Sequence, residues 1–531
     1  MIGPEDVGGA WAEVIRRFHA THPNIRIDYI SGPWSTDERQ NMYIRSFLAG
    51  DGFELVYMDV VWTAKFASRG WLLPLDEWFP PAARDGLLLR DVEAGYYRGR
   101  FYRVPIRTDV GMLYYRKDLM PEPPRTWEEF ATACQRYGNP PERYCLVFQG
   151  MQYEGLTCNF LEYLWGAGGT PIDQDEAVLL DQDESIAALS FMQEMIGRDW
   201  APRSVITFQE QQALEFFEQG KALMMRNWPY AWALLRRSSL EGKVGMVPFI
   251  HRTGHEPAGT LGGWGLGIAR SARFPEAAAK FIEFTVSPEA QKVLHFRRGA
   301  VPALKSLFKD EEILQQSPHY TDLYEVLLKS RTRPIHPDYP RISSILQKHV
   351  SAVLVGIESP REAALQMDQS IEGLIKGKRH SWPLRLYFDH DLKMTVKNTL
   401  VFTGLSVPFE FLLGLLFALL VNSPFRGRSM LRLGVLVPWA LPTAVMAMAW
   451  QWMFNNPFGV INDLLVRIGI LAAPLDWLSS PEGAMFAAVF ADVWKTTPFV
   501  AIILLAGLQS IPQQLKESLS IDGGGAGVGP R

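Results

Sequence analysis

Three long apolar runs beyond residue 395 constrain the fold of this chain more than any other feature. The runs cover residues 398–421, 433–454 and 484–508, and Glu410 is the only formal charge in the first. The first run holds 24 residues, enough for a helix to cross a hydrocarbon core about 30 Å thick. Residues before about 380 are instead mixed in polarity and periodic. We therefore predict a soluble part joined to an all-α transmembrane part of about three helices.

The basic residues between the runs predict an orientation in the membrane. Arg426, Arg428 and Arg432 lie between the first two runs, whereas Arg467 is the only basic residue at 455–483. Cytoplasmic loops carry an excess of Lys and Arg, so the first loop should be cytoplasmic. Three crossings then place everything before residue 398 outside the cell. We expect a multi-pass protein of the plasma (inner) membrane, in contact with lipid, with its N-terminal domain on the external face.

The third run contains ionisable residues and a proline. Asp492 and Lys495 lie three residues apart, so on a helix they would share a face and could pair with each other or line a pathway. Alternatively, they could extend towards the membrane surface. Pro498 also interrupts this run. Because either half is too short to cross alone, we predict one kinked helix.

Composition and cysteine usage exclude several classes of protein. A formal charge of −4 with 21% charged residues is typical of a folded protein, and argues against a disordered, collagen-like or nucleic-acid-coating chain. We therefore expect no nucleic-acid partner. Cys134, Cys145 and Cys158 are odd in number and widely spaced, which predicts buried thiols rather than a disulfide framework or a zinc site. Residues 1–6 do not resemble the start of a signal peptide.

Periodicity in the first 60 residues predicts alternating helices and strands. Apolar residues at i, i+3, i+4 and i+7 in residues 11–18 predict a helix that ends before Pro23. Alternation at residues 25–29 predicts a half-buried strand, residues 35–50 are compatible with a helix, and the apolar run at 55–58 predicts a second strand. This order is typical of an α/β fold, whose crossovers favour a parallel sheet.

Two carboxylates follow predicted strands. Asp59 comes directly after the apolar run, and Asp109 lies near the end of a strand-like segment. Ligands of open α/β sheets bind at the carboxyl ends of strands, which makes both residues candidates for a binding site. Asp59 could equally cap the helix that follows it.

Aromatic residues beside glycines and a proline suggest a sugar site. Trp228 and Tyr230 flank a proline, and Trp264 follows Gly262 and Gly263. Sugar rings stack on aromatic faces, and their hydroxyls form hydrogen bonds with carboxylate, amide and guanidinium groups. The alternative is that each of these aromatic residues packs in the core.

Catalytic and nucleotide-binding motifs are missing from the sequence. No GxxxxGK[ST], GxSxG or HExxH motif occurs, so no cofactor, metal or bound nucleotide is expected. An enzyme would have to use paired carboxylates such as Asp59 and Asp109, as a glycosidase does. Such pairs also bind sugars without cleaving them.

Ordered motifs between residues 11 and 376 resemble family 1 extracellular solute-binding proteins of ABC importers, most closely the trehalose/maltose-binding group. The matching stretches are YMDVVW at 57–62, GWLLPLD at 70–76, LYYRKDL at 113–119, YEGL at 153–156, RNWPYAW at 226–232, LGGW at 261–264 and RP at 333–334. From about residue 392 the chain resembles the sugar-permease subunit of the same importers. The matching stretches there are NTL at 398–400, PFRGR at 424–428, PWALP at 438–442 and DVWKTTPF at 492–499.

These resemblances imply an organisation for the whole chain. Residues 1–380 would form a two-lobed α/β fold of the periplasmic-binding-protein type, residues 381–397 a linker, and residues 398–531 a partial permease. The first lobe would lack its first strand, which in the family precedes the helix that contains Trp11. Residues 515–523 resemble the start of the cytoplasmic EAA loop, which in the family docks on the ATPase. ATPase contact is therefore expected for Glu517, Asp522 and Gly523.

The resemblance also implies a disaccharide of the trehalose or maltose type, held between the lobes. The implied contacts are Asp59 and Asp109 as hydrogen-bond acceptors, Arg333 and Arg39 as donors, Trp228, Tyr230 and Trp264 as stacking rings, and Gly262 and Gly263 for close approach of the backbone. Arg107 stands where these relatives carry Tyr.

The leading hypothesis is sugar uptake by an ABC importer, with an ATPase subunit and a second permease subunit as partners. Alternatives are a membrane-anchored glycoside hydrolase that uses Asp59 and Asp109, and a truncated or fused gene product without transport activity.

Overall fold

The structure is a computed structural model that divides the chain into two compact units, Met1–Lys378 and Arg379–Arg531. The described residues are 2–3, 6–32, 36–50, 53–173, 175–376, 390–423, 438–439, 441–455 and 459–512. The basic loop with Arg426, Arg428 and Arg432 lies outside them, as do Glu517, Asp522 and Gly523 of the expected ATPase contact. Predictions about these residues stay predictions.

The strands all lie in the first unit of the described chain. They are β1 (Ile2–Gly3), β2 (Ile30–Ser31), β3 (Leu55–Asp59), β4 (Tyr96–Tyr97), β5 (Arg100–Phe101), β6 (Val104–Val110), β7 (Met112–Arg116), β8 (Tyr144–Val147), β9 (Ala222–Asn227), β10 (Val244–Val247), β11 (Gly259–Ile268), β12 (Val301–Pro302) and β13 (Ser330–Arg331).

The helices of this unit surround the sheets. They are α1 (Ala10–Thr21), α2 (Thr36–Ala49), α3 (Thr63–Ser68), α4 (Pro81–Arg84), α5 (Leu89–Glu93), α6 (Trp127–Tyr137), α7 (Glu154–Gly166), α8 (Asp183–Gly197), α9 (Glu210–Glu218), α10 (Tyr230–Leu235), α11 (Pro275–Thr285), α12 (Pro288–Arg298), α13 (Glu311–Gln316), α14 (Tyr320–Leu328), α15 (Tyr339–Leu354) and α16 (Pro360–Ile375).

Helix α1 confirms the prediction made from apolar spacing. Trp11 and Phe18 are buried, and the helix ends at Thr21, before Pro23. The carboxylate of Asp6 accepts the backbone N–H of Trp11 at 2.8 Å, which satisfies a donor in the first turn. Helix α2 confirms the helix predicted at 35–50, and β3 confirms the strand predicted at 55–58.

The N-terminal strands differ from the prediction. Residues 25–29 form no strand, because the N–H of Ile25 donates to the carbonyl oxygen of His22 and that of Ile27 to the ring of His19 rather than to a neighbouring strand. Strand β2 begins at Ile30 and pairs in parallel with β1, in the register Ile2 to Ile30 and Gly3 to Ser31. The expectation that the first lobe lacks its first strand is therefore wrong, since a short β1 is present.

Two mixed sheets form the centre of the first unit. The larger has the order β12-β6-β11-β13, with β3 also paired to β11, and the smaller has the order β10-β7-β9-β8. Strand β11 is antiparallel to both β3 and β6, whereas the pairs β1–β2, β8–β9 and β11–β13 are parallel, so the parallel pairing that crossovers favour is found only in part. The antiparallel pairs arise because β3 and β6 precede β11 by about 200 and about 150 residues, and short-range crossovers do not set the direction of so distant a strand.

The first unit has two hydrophobic cores, and β6 passes from one to the other. Val104 and Ile106 pack in the core that includes α1 and β3, whereas Val110 packs in the core that includes α6 to α8. Strand β11 pairs with β6 and makes the return passage: Ala258, just before it, lies in the second core, and Leu266 lies in the first. The predicted two-lobed α/β fold is thus confirmed, and β6 and β11 link the lobes.

The cysteines differ in part from the prediction. Cys134 in α6 and Cys145 in β8 form a disulfide, with their Cα atoms 5.4 Å apart. The prediction of three thiols is wrong here, because α6 turns back onto β8 and brings two distant cysteines together. Cys158 is a buried thiol, as predicted, and burial raises its pKa to about 12.

Every secondary-structure element in the described residues of the second unit is a helix. Its helices are α17 (His390–Asn422), α18 (Thr443–Met453), α19 (Val460–Arg467) and α20 (Pro481–Ser510). Residues 390–397, predicted as linker, belong to α17. Two segments of the described chain are long and apolar enough to cross a membrane, Thr395–Asn422 and Pro481–Ser510. They coincide with the first and third predicted spans.

The predicted second span at 433–454 is described only in part. Its helix α18 holds 11 residues, or about 17 Å, which is too short to cross by itself. Residues 433–437 and 440 lie outside the described residues.

The ionisable residues of α20 have other partners than predicted. Lys495 donates to the carbonyl oxygen of Leu441 at 2.8 Å, and Asp492 accepts from Thr496 at 3.4 Å. Asp492 also lies close enough to Glu410 of α17 to interact with it. Within the described residues, therefore, Asp492 meets a second carboxyl group rather than Lys495.

Candidate functional site

Residues 261–264 of β11 bring most of the predicted site residues together. Gly262 pairs with Asp109 of β6. Trp264 pairs with Arg107 of β6 on one side and with Asp59 of β3 on the other. The site is therefore built on the strands that link the two lobes.

Gly263 occupies a position that suits only glycine. Its φ is +117°, and a Cβ atom there would lie 2.6 Å from the carbonyl oxygen of Arg107. At Gly262 a Cβ atom would lie 3.0 Å from the Cβ of Asp109 and 3.2 Å from Cζ3 of Trp228. The indole of Trp228 thus lies against Gly262, which the lack of a side chain permits.

Arg333 joins two carboxylates at one side of the site. One Nη atom lies 2.7 Å from Glu154 and the other 3.4 Å from Asp59, and the side chain of Arg333 is buried. Glu154 also accepts from Ser343 at 2.6 Å and from the hydroxyl of Tyr339. Burial lowers the pKa of Arg333, but the surrounding anionic groups outweigh it and raise that pKa above its ordinary value.

Asp59 serves both roles that the sequence left open. Its carboxylate accepts the backbone N–H of Val61 at 3.1 Å and so caps the short 3₁₀ helix Val60–Trp62. The same oxygen contacts Arg333. Sequence reasoning missed Glu154, although it lies in the YEGL stretch, because nothing local marks the first residue of α7 as a partner of Arg333.

Asp109 is paired with Arg107 on the same strand. Arg107 donates to the carboxylate of Asp109, and its Nε lies 3.4 Å from the hydroxyl of Tyr57. Burial raises the pKa of Asp109 above its ordinary value, and the guanidinium of Arg107 opposes this shift. Arg107 is therefore part of the site, although its role could not be read from the strand pattern.

Trp264 is enclosed by other side chains. The ring of Tyr57 stacks on it at 5.0 Å and 21°, and the guanidinium carbon of Arg39 lies 4.3 Å from its ring centroid. Trp62 contacts its edge at 5.4 Å. Only 7% of Trp264 is exposed, so this arrangement favours the alternative that Trp264 packs in the core of the first lobe. Arg39 is buried with it.

Trp228 and Tyr230 are accessible. Trp228 is partly exposed, and its Nε1 donates to Glu210 at 3.2 Å. Tyr230 begins α10 and is 38% exposed. Burial of its hydroxyl and the nearby Glu210 raise the pKa of Tyr230. Glu210, at the start of α9, is a further carboxylate that sequence reasoning missed.

The arrangement combines accessible aromatic rings with acceptors and donors of hydrogen bonds. A small pocket with apolar walls adjoins Arg333, and Val60, Val61 and Ala64 line it. Among the described residues, no group of three or more His, Cys, Asp or Glu could hold a metal ion. Rings, carboxylates and guanidinium groups on interlobe strands are suited to a neutral, hydroxyl-rich ligand.

Two lobes that share strands and carry such a site define a ligand-binding protein of the maltose-binding type. The family model for the bacterial extracellular solute-binding protein matches residues 3–292. A second model, for the inner membrane component of binding-protein-dependent transport systems, matches residues 410–526. The chain belongs to the bacterial extracellular solute-binding protein family, and its solute-binding domain is fused to such a membrane component.

Individual relatives agree with the assignment of the binding domain. A probable ABC transporter-binding protein of Deinococcus radiodurans is 30% identical over 369 residues, which cover 66% of this chain and 87% of the relative. A maltose-bound structure of T. maritima MalE3 is 33% identical, with a TM-score of 0.64, and the match covers 70% of this chain and 98% of that one.

The C-terminal unit matches only part of its relatives. The trehalose/maltose transport system permease protein MalF of Thermococcus litoralis is 50% identical over 125 residues, which are 24% of this chain. The chain spans 42% of the length of that permease. Both matched families consist of binding and transport components rather than enzymes.

Proposed function

We propose that this chain captures a disaccharide of the maltose or trehalose type outside the membrane and delivers it to an ABC importer. The observation that carries the proposal is the position of Trp228. Its partly exposed indole lies against Gly262, whose other close neighbour is the side chain of Asp109. Such a ring can stack on one face of a pyranose, while a carboxylate beside it accepts hydrogen bonds from the sugar hydroxyls.

The comparisons support this class of ligand. MalE3 of T. maritima holds maltose, and the permease of T. litoralis is named for trehalose and maltose. They match different ends of this chain, so two independent regions point to related sugars.

Each side chain of the site has a role in the proposed complex. Trp228 and Tyr230 stack on the sugar, and Asp59 and Asp109 accept hydrogen bonds from its hydroxyls. Arg333 donates, and its partners Glu154 and Asp59 hold its guanidinium in place. Gly262 lets the backbone of β11 approach the ligand beside Trp228, and Gly263 lets β11 lie close to β6. Closure of the lobes about β6 and β11 is the signal that reaches the membrane unit.

The membrane unit would work with partners. We infer that an ATPase subunit, a second permease subunit and the surrounding lipid complete the importer, with the binding domain on the external face. The ATPase would contact Glu517, Asp522 and Gly523.

Calorimetry on the full chain tests the proposal. The chain is reconstituted in lipid nanodiscs, because maltoside detergents would compete for the site, and is titrated with maltose and trehalose. We expect binding of at least one sugar, weakened about tenfold or more by Trp228→Ala. Trp439→Ala serves as the control, because Trp439 is an exposed tryptophan of the second unit. No heat with either sugar, or equal effects of the two variants, would contradict the proposal.

The same preparation separates binding from hydrolysis. Asp59 and Asp109 each contact an arginine, Arg333 and Arg107, an arrangement suited to holding hydroxyls. We therefore expect maltose to be recovered intact after incubation with the chain. Release of glucose, lost in Asp109→Asn, would identify a glycoside hydrolase instead.

A further inference from the structure

A buried ion pair lies directly beneath the proposed sugar platform. Arg226 at the end of β9 and Glu162 in α7 are both 0% exposed. Their contact is bidentate: Nε of Arg226 donates to one carboxylate oxygen at 2.9 Å, and Nη2 donates to the other at 2.5 Å. Neither residue has a role in the proposed contacts with sugar.

The pair supports the ring of Trp228 from below. The guanidinium carbon of Arg226 lies 4.2 Å from the centroid of the indole, which is a cation–π contact. Among the described residues, no aromatic ring stacks on Trp228. One face of the indole is thus held by Arg226, and the hydrogen bond from Nε1 to Glu210 fixes its rotation.

The pair also contacts both strands that link the lobes. Glu162 accepts the backbone N–H of Thr260 in β11 at 3.0 Å. Gly111 directly follows β6, and a Cβ atom there would lie 1.8 Å from Glu162 and 2.3 Å from Arg226. The ion pair therefore fills the space at which β6 and β11 enter the second lobe.

Amide side chains fix the orientation of the guanidinium. Oε1 of Gln149 accepts from Nη1 of Arg226 at 3.2 Å, and Nε2 of Gln149 donates to the carbonyl oxygen of Arg226 at 3.0 Å. Asn159 in turn donates to Gln149 at 3.3 Å. A lysine cannot replace this set of contacts, because its ammonium group lacks the planar fork.

We propose that Arg226 and Glu162 are positioning residues that hold the indole of Trp228 in place for stacking on the sugar and connect it to the interlobe strands. A purely structural pair would stabilise the second lobe without affecting the ring. The inference rests on the proposed function for its ligand, but the position of the ring can be measured without one.

Fluorine NMR of the full chain in nanodiscs tests the position of the ring. The chain is labelled with 5-fluorotryptophan, and the resonance that disappears in Trp228→Phe is that of Trp228. We expect Arg226→Lys to shift and broaden this resonance in the absence of sugar, and to weaken sugar binding about three- to thirty-fold. A Trp228 resonance identical to that of the wild type would overturn the inference, whatever the affinity.

A paired replacement guards against a folding defect. Arg226→Met with Glu162→Leu removes both charges together, so no unpaired charge stays buried. The matched control is Arg116→Met with Asp118→Leu, which removes a bidentate pair at the far end of β7. The first double variant should move the Trp228 resonance and the control should not. Equal shifts in both would show a general effect of losing an ion pair and would refute the inference.

The wild-type chain provides a measurement that needs no variant at the pair. Addition of maltose should slow hydrogen exchange in the peptide that contains Thr260, because stacking on Trp228 stabilises the contact from Glu162 to its N–H. Unchanged exchange at saturating maltose would count against the connection to β11. Failure of the wild type to bind any sugar would instead refute the proposed function, and the ring measurement would still decide the role of Arg226.

Discussion

Replacing Gly263 by alanine should destabilise the first unit strongly. The residue has a φ of +117°, a conformation that costs an L-residue about 1–3 kcal/mol. Its new Cβ atom would also lie 2.6 Å from the carbonyl oxygen of Arg107. Because that oxygen belongs to the backbone of β6, relief requires the strands to move, which costs about 1–3 kcal/mol more. We expect the free energy of unfolding to fall by about 2–6 kcal/mol in total.

Substitutions at two further glycines separate the contribution of backbone strain from that of steric overlap. Gly99 has a φ of +75° with no atom within 4 Å of its would-be Cβ, so Gly99→Ala reports backbone strain alone, about 1–2 kcal/mol. The would-be Cβ of Gly262 meets Trp228 at 3.2 Å, and its φ is not in the left-handed region. Gly262→Ala should therefore weaken sugar binding more than it weakens folding.

Pulse proteolysis in urea measures these differences on the full chain, because only unfolded domains are cleaved during a short exposure to protease. The loss for Gly263→Ala should exceed that for Gly99→Ala by at least about 1 kcal/mol. If the two losses are equal, β6 and β11 do not approach as closely at Gly263 as described, and the reasoning for a site built on these strands is wrong.

Three other perturbations have defined outcomes. Burial, followed by the charges of His295 and Arg236, lowers the pKa of His319 to about 3, so the unfolded chain binds more protons than the folded chain between about pH 6.5 and 3, and the free energy of unfolding decreases as the pH is lowered through that window. His319→Gln should reduce the stability lost between pH 7 and pH 5 by about 2 kcal/mol in the same proteolysis assay. An unchanged loss would contradict this. Cys158, whose pKa is raised to about 12, should resist iodoacetamide at pH 8 until urea unfolds the first unit, as followed by mass spectrometry; rapid native labelling would show that it is accessible. Arg333→Lys should weaken maltose binding about tenfold or more in calorimetry, since an ammonium group cannot reproduce the two-carboxylate contact; wild-type affinity would remove Arg333 from the site.

Local patterns predicted the elements well where burial alone decides the structure. The spacing from Trp11 to Phe18 predicted α1, and the apolar run before Asp59 predicted β3, because each side chain packs into the first core. The same reasoning predicted the wrong strand at 25–29. Alternating polarity indicates which side chains face inwards, but a strand also needs a neighbouring strand for its backbone hydrogen bonds. Strand β1 pairs with Ile30–Ser31 rather than with residues 25–29.

The site was predicted as residue types rather than as contacts. Asp59 and Arg333 were expected to bind ligand, and they also contact each other. The partner Glu154 could not be found, since 179 residues separate it from Arg333. Trp264 and Trp228 look equivalent in the sequence, yet one is enclosed by Tyr57 and the other is partly exposed. Only the packing of β3 against β11 distinguishes them.

Strand β11 has consequences for how such a protein could change its ligand. Many binding proteins acquire new specificity through insertions in surface loops, which the scaffold tolerates. Here the candidate site is built around residues 261–264 of a strand paired on both sides, so an insertion in β11 would shift its register with β3 and β6 together. New preferences would therefore have to arise by single substitutions at accessible positions beside the strand, such as the exposed Tyr230 and the partly exposed Arg107.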